Sequence, residues 1–216
     1  MNVPHPAKFG RRHLDEIISI LGGDPKLNVL DPFAGVGTVH ELPYSTRGVE
    51  LEPEWAGQHP LTVVGSALRT GFDNESFDAV VTSPCFGNRM ADNYEAKDDS
   101  KRHTYRHYLG RSPSEGSAAV MQWGEDYKHF HTEAWLESKR VLKPNGMLIV
   151  NIKDHIRDGK IQFVTKWHTD ALVGLGFKQV NTVIIPTAGL THGENFNQRI
   201  PHESLLIFKK PEPLVS

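Results

Sequence analysis

Apolar residues fall in short continuous runs, and the stretches between several of them carry helical spacing. Leu27–Leu30, Thr46–Leu51, Leu61–Val64, Phe77–Thr82, Met147–Ile152, Phe177–Ile185 and Ser204–Lys209 are the runs, and each reads as a strand. Asp15–Leu21 reads as the end of a helix stopped by Gly22-Gly23. Tyr127–Leu142 repeats apolar residues at helical spacing and halts at Lys143-Pro144-Asn145-Gly146; Phe163–Leu175 does the same before Gly176. Unbroken apolar strands that alternate with helices argue for a parallel sheet covered on both faces. The last two runs are expected to pair antiparallel across Pro186–Glu203. In such a sheet ligands bind beyond the carboxyl ends of the strands, so the residues just after each run carry the chemistry.

Gly87–Trp123 breaks the rhythm, being long, polar and poor in aliphatic residues. Loops of that length in a compact domain usually have a function of their own or are disordered.

Composition narrows the reading. A length of 216 residues suits one domain with little besides, and no repeat or low-complexity linker divides it. With 38% hydrophobic residues and a mean hydropathy of -0.42 the chain reads as soluble and globular. No run is long enough to span a bilayer, and MNVPHPAKFGRRH has no signal-peptide core. One cysteine permits no internal disulfide, so a cytoplasmic location is expected. A net charge of -2 excludes a basic coat but leaves room for a local basic face.

Three constellations stand at strand ends. Asp31-Pro32-Phe33-Ala34-Gly35-Val36-Gly37-Thr38 lets the backbone turn sharply and approach a ligand, and Asp31 can accept from an ammonium or hydroxyl group. It lacks both the nucleoside-triphosphate loop pattern and the third glycine of a dinucleotide fingerprint. Glu50 lies nineteen positions later, where a carboxylate can receive two ribose hydroxyls. Thr82-Ser83-Pro84-Cys85-Phe86-Gly87-Asn88-Arg89 is the third.

A DPFxGxGT segment followed by TSPCFGNR resembles the amino-directed, S-adenosylmethionine-dependent DNA methyltransferases, whose second motif is (D/N/S)PP(Y/F/W). The likeness spans roughly residues 5–153. It implies a Rossmann-like α/β fold: a mostly parallel seven-stranded sheet with an antiparallel last strand and helices on both faces, in one domain over residues 1–216. It implies S-adenosyl-L-methionine as cofactor, held by His5, Lys8, Phe9, Asp31, Phe33, Ala34, Gly35, Gly37, Thr38, Glu50, Leu51, Ser66 and Ala67. Ser83, Pro84, Cys85 and Phe86 are the implied catalytic residues. The substrate implied is an exocyclic amino group in DNA, with cytosine N4 ahead of adenine N6. An RNA base amino group, or a module that binds and does not turn over, are the rivals.

The chemistry suits such a target. An exocyclic amine is a weak nucleophile because its lone pair is delocalised into the ring. The Ser83 hydroxyl and the Pro84 carbonyl can accept its hydrogens, with proline fixing that carbonyl's direction. Phe86 offers a face on which an extruded base can stack. Neither a metal nor a covalent intermediate is required.

Two positions depart from the family pattern. Cys85 replaces the second proline, read first as a tolerated substitution, second as a weakened enzyme and third as a nucleophile for cytosine C5 chemistry. Ser66 stands where an acidic residue is common, and serine still accepts a hydrogen bond, without charge. Ser100–Ser112 mixes Lys101, Arg102, Arg106 and Arg111 with Tyr105 and Tyr108 and has no acid. Cations for phosphate beside aromatics for bases fit a nucleic-acid contact, and with Asn88 and Arg89 make residues 87–123 the expected contact region. His103 and His107 have helical spacing but no third ligand, so no metal is expected. Recognition sequence either is short or comes from a second subunit or partner, an arrangement that suits a phage or mobile-element modification gene.

Overall fold

A computed structural model describes residues 3–87, 104–157, 159–187 and 200–213. Seven strands form one sheet: β1 (Asn28–Asp31), β2 (Ser45–Glu50), β3 (Thr62–Val64), β4 (Phe77–Thr82), β5 (Leu142–Ile152), β8 (Lys178–Pro186) and β9 (His202–Lys209). Across the sheet their order is β3-β2-β1-β4-β5-β9-β8. β1 to β5 pair in parallel, and β9 inserts antiparallel between β5 and β8. The expected sheet, with its antiparallel last strand, is the observed one.

The central strands β1, β4, β5 and β9 carry successive apolar residues because the middle of the sheet is buried on both faces. Leu30, Val80, Leu148, Val150, Leu206 and Phe208 point to one side; Val29, Ala79, Val81, Ile149 and Leu205 point to the other. This is the period-2 alternation of a strand with core on both faces. The first side is covered by α4 (Glu125–Val141) and α5 (Val164–Gly174) through Tyr127, Trp135, Val164 and Leu172. The second is covered by α1 (Arg11–Leu21) through Leu14 and Ile17. α4 buries Tyr127, Phe130, His131, Ala134, Trp135, Ser138 and Val141, the i, i+3, i+4 stripe that its sequence displays. Glu125 and Asp126 in its first turn, with Lys139 and Arg140 in its last, complement the helix dipole.

Two local expectations change. The expected turn Lys143–Gly146 lies inside β5, where the register with β4 slips between Phe77 and Ala79. Asn145 takes a positive φ of 64° there and donates its backbone N–H to the Lys210 carbonyl. A two-stranded hairpin, β6 (His155–Arg157) with β7 (Lys160–Gln162), follows β5 and was not legible as strands. The remaining helices are short: α2 (Pro53–Ala56) after β2 and α3 (Tyr105–Leu109) in the polar segment. A 3-10 turn, Thr38–Glu41, follows the glycines.

Candidate active site

A cavity opens beyond the carboxyl ends of β1 to β4, where an open α/β sheet places its ligand. Pro32 and Phe33 reach it from β1, Glu50 and Leu51 from β2, Gly65, Ser66 and Ala67 from β3, and Ser83 and Cys85 from β4. His5 and Phe130 contribute from either side. Tyr105 and Gly116–Ala119 cover it.

The glycine turn and Glu50 are locked together. Glu50 accepts the backbone N–H of Gly35 through Oε2 (2.9 Å) and that of Glu52 through Oε1 (2.9 Å). Gly37 has φ 83°, and a Cβ there would lie 2.8 Å from His40 and 2.9 Å from His59, so only glycine fits. At Gly35 a Cβ would press on the His5 ring at 3.2 Å. His5 in turn meets Trp55 edge-on, with ring centroids 4.4 Å apart. Burial lowers the His5 pKa to about 4, so the imidazole is neutral at pH 7.

Asp31 is only 3% exposed and lies beneath the turn. Its Oδ1 accepts from Thr82 Oγ1 (2.6 Å) and from the Phe33 N–H (2.9 Å). Burial raises Asp31 to about 7 in spite of these donors, and the Glu50 charge pushes the same way. Glu50 is likewise raised to about 7 by burial, with Glu52 adding to the push. Among the described residues neither carboxylate has an ion-pair partner. The strand ends therefore hold two buried carboxyls whose charged forms a nearby cation would favour.

The loop after β4 is held from several directions. Ser83 Oγ accepts from Asn151 Nδ2 (3.2 Å), which also donates to Glu203 Oε2 (2.7 Å). Glu203 binds His13 Nε2 (3.0 Å). Asn151 is 2% exposed, and among the described residues its Oδ1 has no partner. Tyr127 Oη donates to the Cys85 carbonyl (2.8 Å). Burial pushes the Cys85 thiol up to about 12, although a side-chain hydrogen bond with Tyr105 opposes this. A thiol held at that value is largely protonated at neutral pH, which weighs against the cytosine C5 reading.

Several expected ligands sit elsewhere. Lys8 is exposed away from the cavity, and Phe9 is buried against the α1 side of the sheet. Ala34 is buried and gives its N–H to the Val49 carbonyl, and Thr38 opens the 3-10 turn. Pro84 is buried. Phe86 is 8% exposed and packs in the main core, so its face is not free for a base. The aromatic side chains at the cavity are Phe33, Tyr105 and Phe130.

The expected nucleic-acid contacts also divide. Asn88, Arg89, Lys101 and Arg102 lie outside the described residues. Tyr105 is buried at the cavity, and Arg106 is exposed on α3. Arg111 is already paired with carboxylates: it grips Glu52 Oε2 (2.7 Å) and both Glu54 oxygens. Ser114 adds bonds from its N–H and hydroxyl to Glu52. This latch ties the covering segment to α2. Among the described residues no group of three or more His, Cys, Asp or Glu could hold a metal.

Sequence reasoning missed Phe130, Ser117, Ala118 and Ala119 as cavity residues, and Asn151 and Glu203 behind Ser83. Ala118-Ala119, a small apolar pair in a polar stretch, was the available signal for the cover. Nothing local marked Asn151, which meets Ser83 only because β5 lies beside β4.

Comparison with solved structures places the fold. A SAM-dependent methyltransferase from Methanosarcina mazei superposes with TM-score 0.57 at 16% identity, covering 91% of this chain and 98% of the other. The fold is that of the S-adenosylmethionine-dependent methyltransferases. The 1,6-didemethyltoxoflavin-N1-methyltransferase of Burkholderia thailandensis, solved with S-adenosylhomocysteine, gives TM-score 0.55 at 16% identity over 94% of this chain and 78% of its own. The [4+2]-cyclase SpnF gives TM-score 0.55 at 14% identity over 94% and 82%. The methyltransferase fold thus carries more than one chemistry, and the site must decide. No family model and no curated protein sequence matches the chain.

Proposed function

We propose that the protein is an S-adenosylmethionine-dependent methyltransferase acting on an exocyclic amino group of a base in DNA, cytosine N4 ahead of adenine N6. The observation that carries this reading is one cavity lined by both Glu50 and Ser83. It joins a ribose-type acceptor to an amine-type acceptor.

The residues present fit the cofactor. Glu50 and Ser66 suit the adenosine end, and the Glu50 carboxyl in the lining, with Asp31 buried behind it, suits a ligand that carries positive charge. When bound, the cofactor supplies an activated methyl group on sulfur. The chain's own part is to orient the amine. Ser83 Oγ keeps acceptor capacity beyond its bond from Asn151, and the Pro84 carbonyl is the second acceptor. Drawing the amine's hydrogens towards two acceptors turns its lone pair outward, and alignment then lowers the barrier. Phe33, Tyr105 and Phe130 give the cavity aromatic walls in place of Phe86.

The test follows radiolabelled methyl from S-adenosylmethionine into duplex DNA and into total RNA, with base identification by mass spectrometry. Wild type is expected to label a DNA amino group, and Ser83→Ala to lose roughly 100- to 1000-fold in kcat, as for loss of one preorganised polar contact. Labelling of RNA alone would move the substrate to RNA. Tight cofactor binding with no product on either would leave a binding module.

A further inference from the structure

The side chains that hold the Cys85 carbonyl form a closed series. Trp135, His168 and Tyr127 are all fully buried. The Trp135 indole Nε1–H donates to His168 Nδ1 at 3.1 Å. An indole nitrogen can only donate, so His168 Nδ1 is an acceptor and a neutral ring carries its proton on Nε2. His168 Nε2 lies 2.9 Å from Tyr127 Oη and donates to it. Tyr127 then has its own proton for the Cys85 carbonyl, which can only accept, at 2.8 Å. Every donor direction in the series is fixed by the one before it. Burial holds His168 well below its ordinary pKa, with the nearby His131 adding to the effect, so the neutral ring persists.

The same tyrosine closes the far end of the loop. Gly87 has φ 64°, and a Cβ there would lie 3.0 Å from the Tyr127 ring and 2.9 Å from the Trp123 nitrogen. The Gly87 carbonyl accepts that Trp123 N–H at 2.9 Å. One ring therefore fixes the peptide after Cys85 by its hydroxyl and the turn at Gly87 by its edge.

We infer that Tyr127, oriented through His168 by Trp135, is the positioning residue of the loop after β4, and does by hydrogen bonding what a second proline would do by covalent constraint. This rests on the methyltransferase reading of Ser83 and Pro84. Cys85 is free to be a non-proline residue because its carbonyl is aimed from the core. The departure in the motif and the polar series buried in α4 and α5 are one feature. The peptide after Cys85 is preset before any substrate arrives, so part of the cost of organising the loop that carries the Pro84 carbonyl falls on folding and not on turnover.

Four proteins test this: wild type, Tyr127→Phe, Cys85→Pro and the double variant. Tyr127→Phe keeps the ring against Gly87 and removes only the hydroxyl. Its kcat for methyl transfer is expected to fall about 10- to 100-fold, the scale of a misplaced catalytic contact. KM for the cofactor should stay within about 2-fold, since the Glu50 side of the cavity is untouched. In the Cys85→Pro background the same change should cost less than about 3-fold. Amide exchange supplies a readout independent of activity. The Trp123 amide should exchange about 10-fold faster in Tyr127→Phe, while the Gly22 amide, which closes α1, keeps its wild-type rate. An unchanged kcat, an equal loss in both backgrounds, or an unchanged Trp123 amide would overturn the proposal, as would equally faster exchange at Gly22. If wild type transfers no methyl group to any nucleic acid, or Cys85→Pro is itself inactive, Trp123 exchange decides alone. The pin is thus separable from the proposed function.

Discussion

Replacing Asp31 by Asn removes one of two charges that the fold holds under protest. Both groups are buried and both are raised to about 7. For Asp31 the rise from 3.8 is worth roughly 4 kcal/mol at about 1.4 kcal/mol per unit. The sign follows from linkage. A carboxyl whose folded pKa is raised contributes stability that is fully present below the unfolded value and is lost as pH climbs towards the folded one. The contribution of these two groups without cofactor therefore falls between about pH 4 and 7, and stays at the lower level above it. The substituted asparagine keeps an oxygen for the Thr82 and Phe33 donors and carries no charge, but buries an amide N–H₂ that needs acceptors. That penalty is about 1–3 kcal/mol, so a net gain of about 2 kcal/mol is expected above pH 7.

The raw pH curve is not diagnostic. His5, His40, His131 and His155 are lowered to about 4, chiefly by burial, and favour the folded state less as pH falls through 6.5. The difference between variant and wild type cancels them. Urea unfolding from pH 5 to 9 should give a difference that grows in favour of Asp31→Asn up to about pH 7 and then levels. Glu50 couples to Asp31, so the rise belongs to the pair and will be broader than a single titration. Saturating S-adenosylmethionine should shrink or reverse the difference, because a positive ligand favours the charged wild type. Parallel curves across the whole range would refute the claim that the buried pair is destabilised by its own charge.

Arg111→Ala should loosen the cover. Glu52 is 1% exposed and would keep only the Ser114 donors, while Arg111 is 37% exposed at its side chain, so the loss is discounted to about 2 kcal/mol. A lower urea midpoint together with faster proteolysis between residues 104 and 117 would bear this out; an unchanged midpoint and cleavage rate would not. Cys85, with its thiol at about 12, should react negligibly with iodoacetamide in the folded protein at pH 8. It should also form no covalent adduct with 5-fluorocytosine DNA, and a trapped adduct seen by mass spectrometry would restore C5 chemistry.

Much of the fold was legible because burial on both faces leaves an unmistakable trace in the strands. Val29-Leu30 and Ala79–Val81 are apolar at successive positions, as a strand covered on both faces requires. β6 and β7 left no such trace, since a short surface hairpin buries little. In the site, the proximity of the turn to a strand tip was readable: Gly35 is joined by a hydrogen bond to Glu50, nineteen positions after Asp31. Residues whose role depends on a distant partner were not. Arg111 looked like a phosphate ligand because Glu52 and Glu54 lie far upstream of it in sequence. Phe86 looked like a stacking platform because one aromatic beside a motif cannot be told from a core residue by sequence.

The place of β9 has a kinetic consequence. It is the last strand in the chain, yet it fills the slot between β5 and β8. Its first residues carry Glu203, which closes the link from His13, a contact across 190 positions, to Asn151 behind Ser83. The link behind Ser83 is therefore complete only once a loop of nearly full length has closed. Folding that ends on such a contact is slow, and until β9 docks the chain presents the open edges of β5 and β8 to any other strand. The interval before β9 docks is when this protein is most exposed to aggregation.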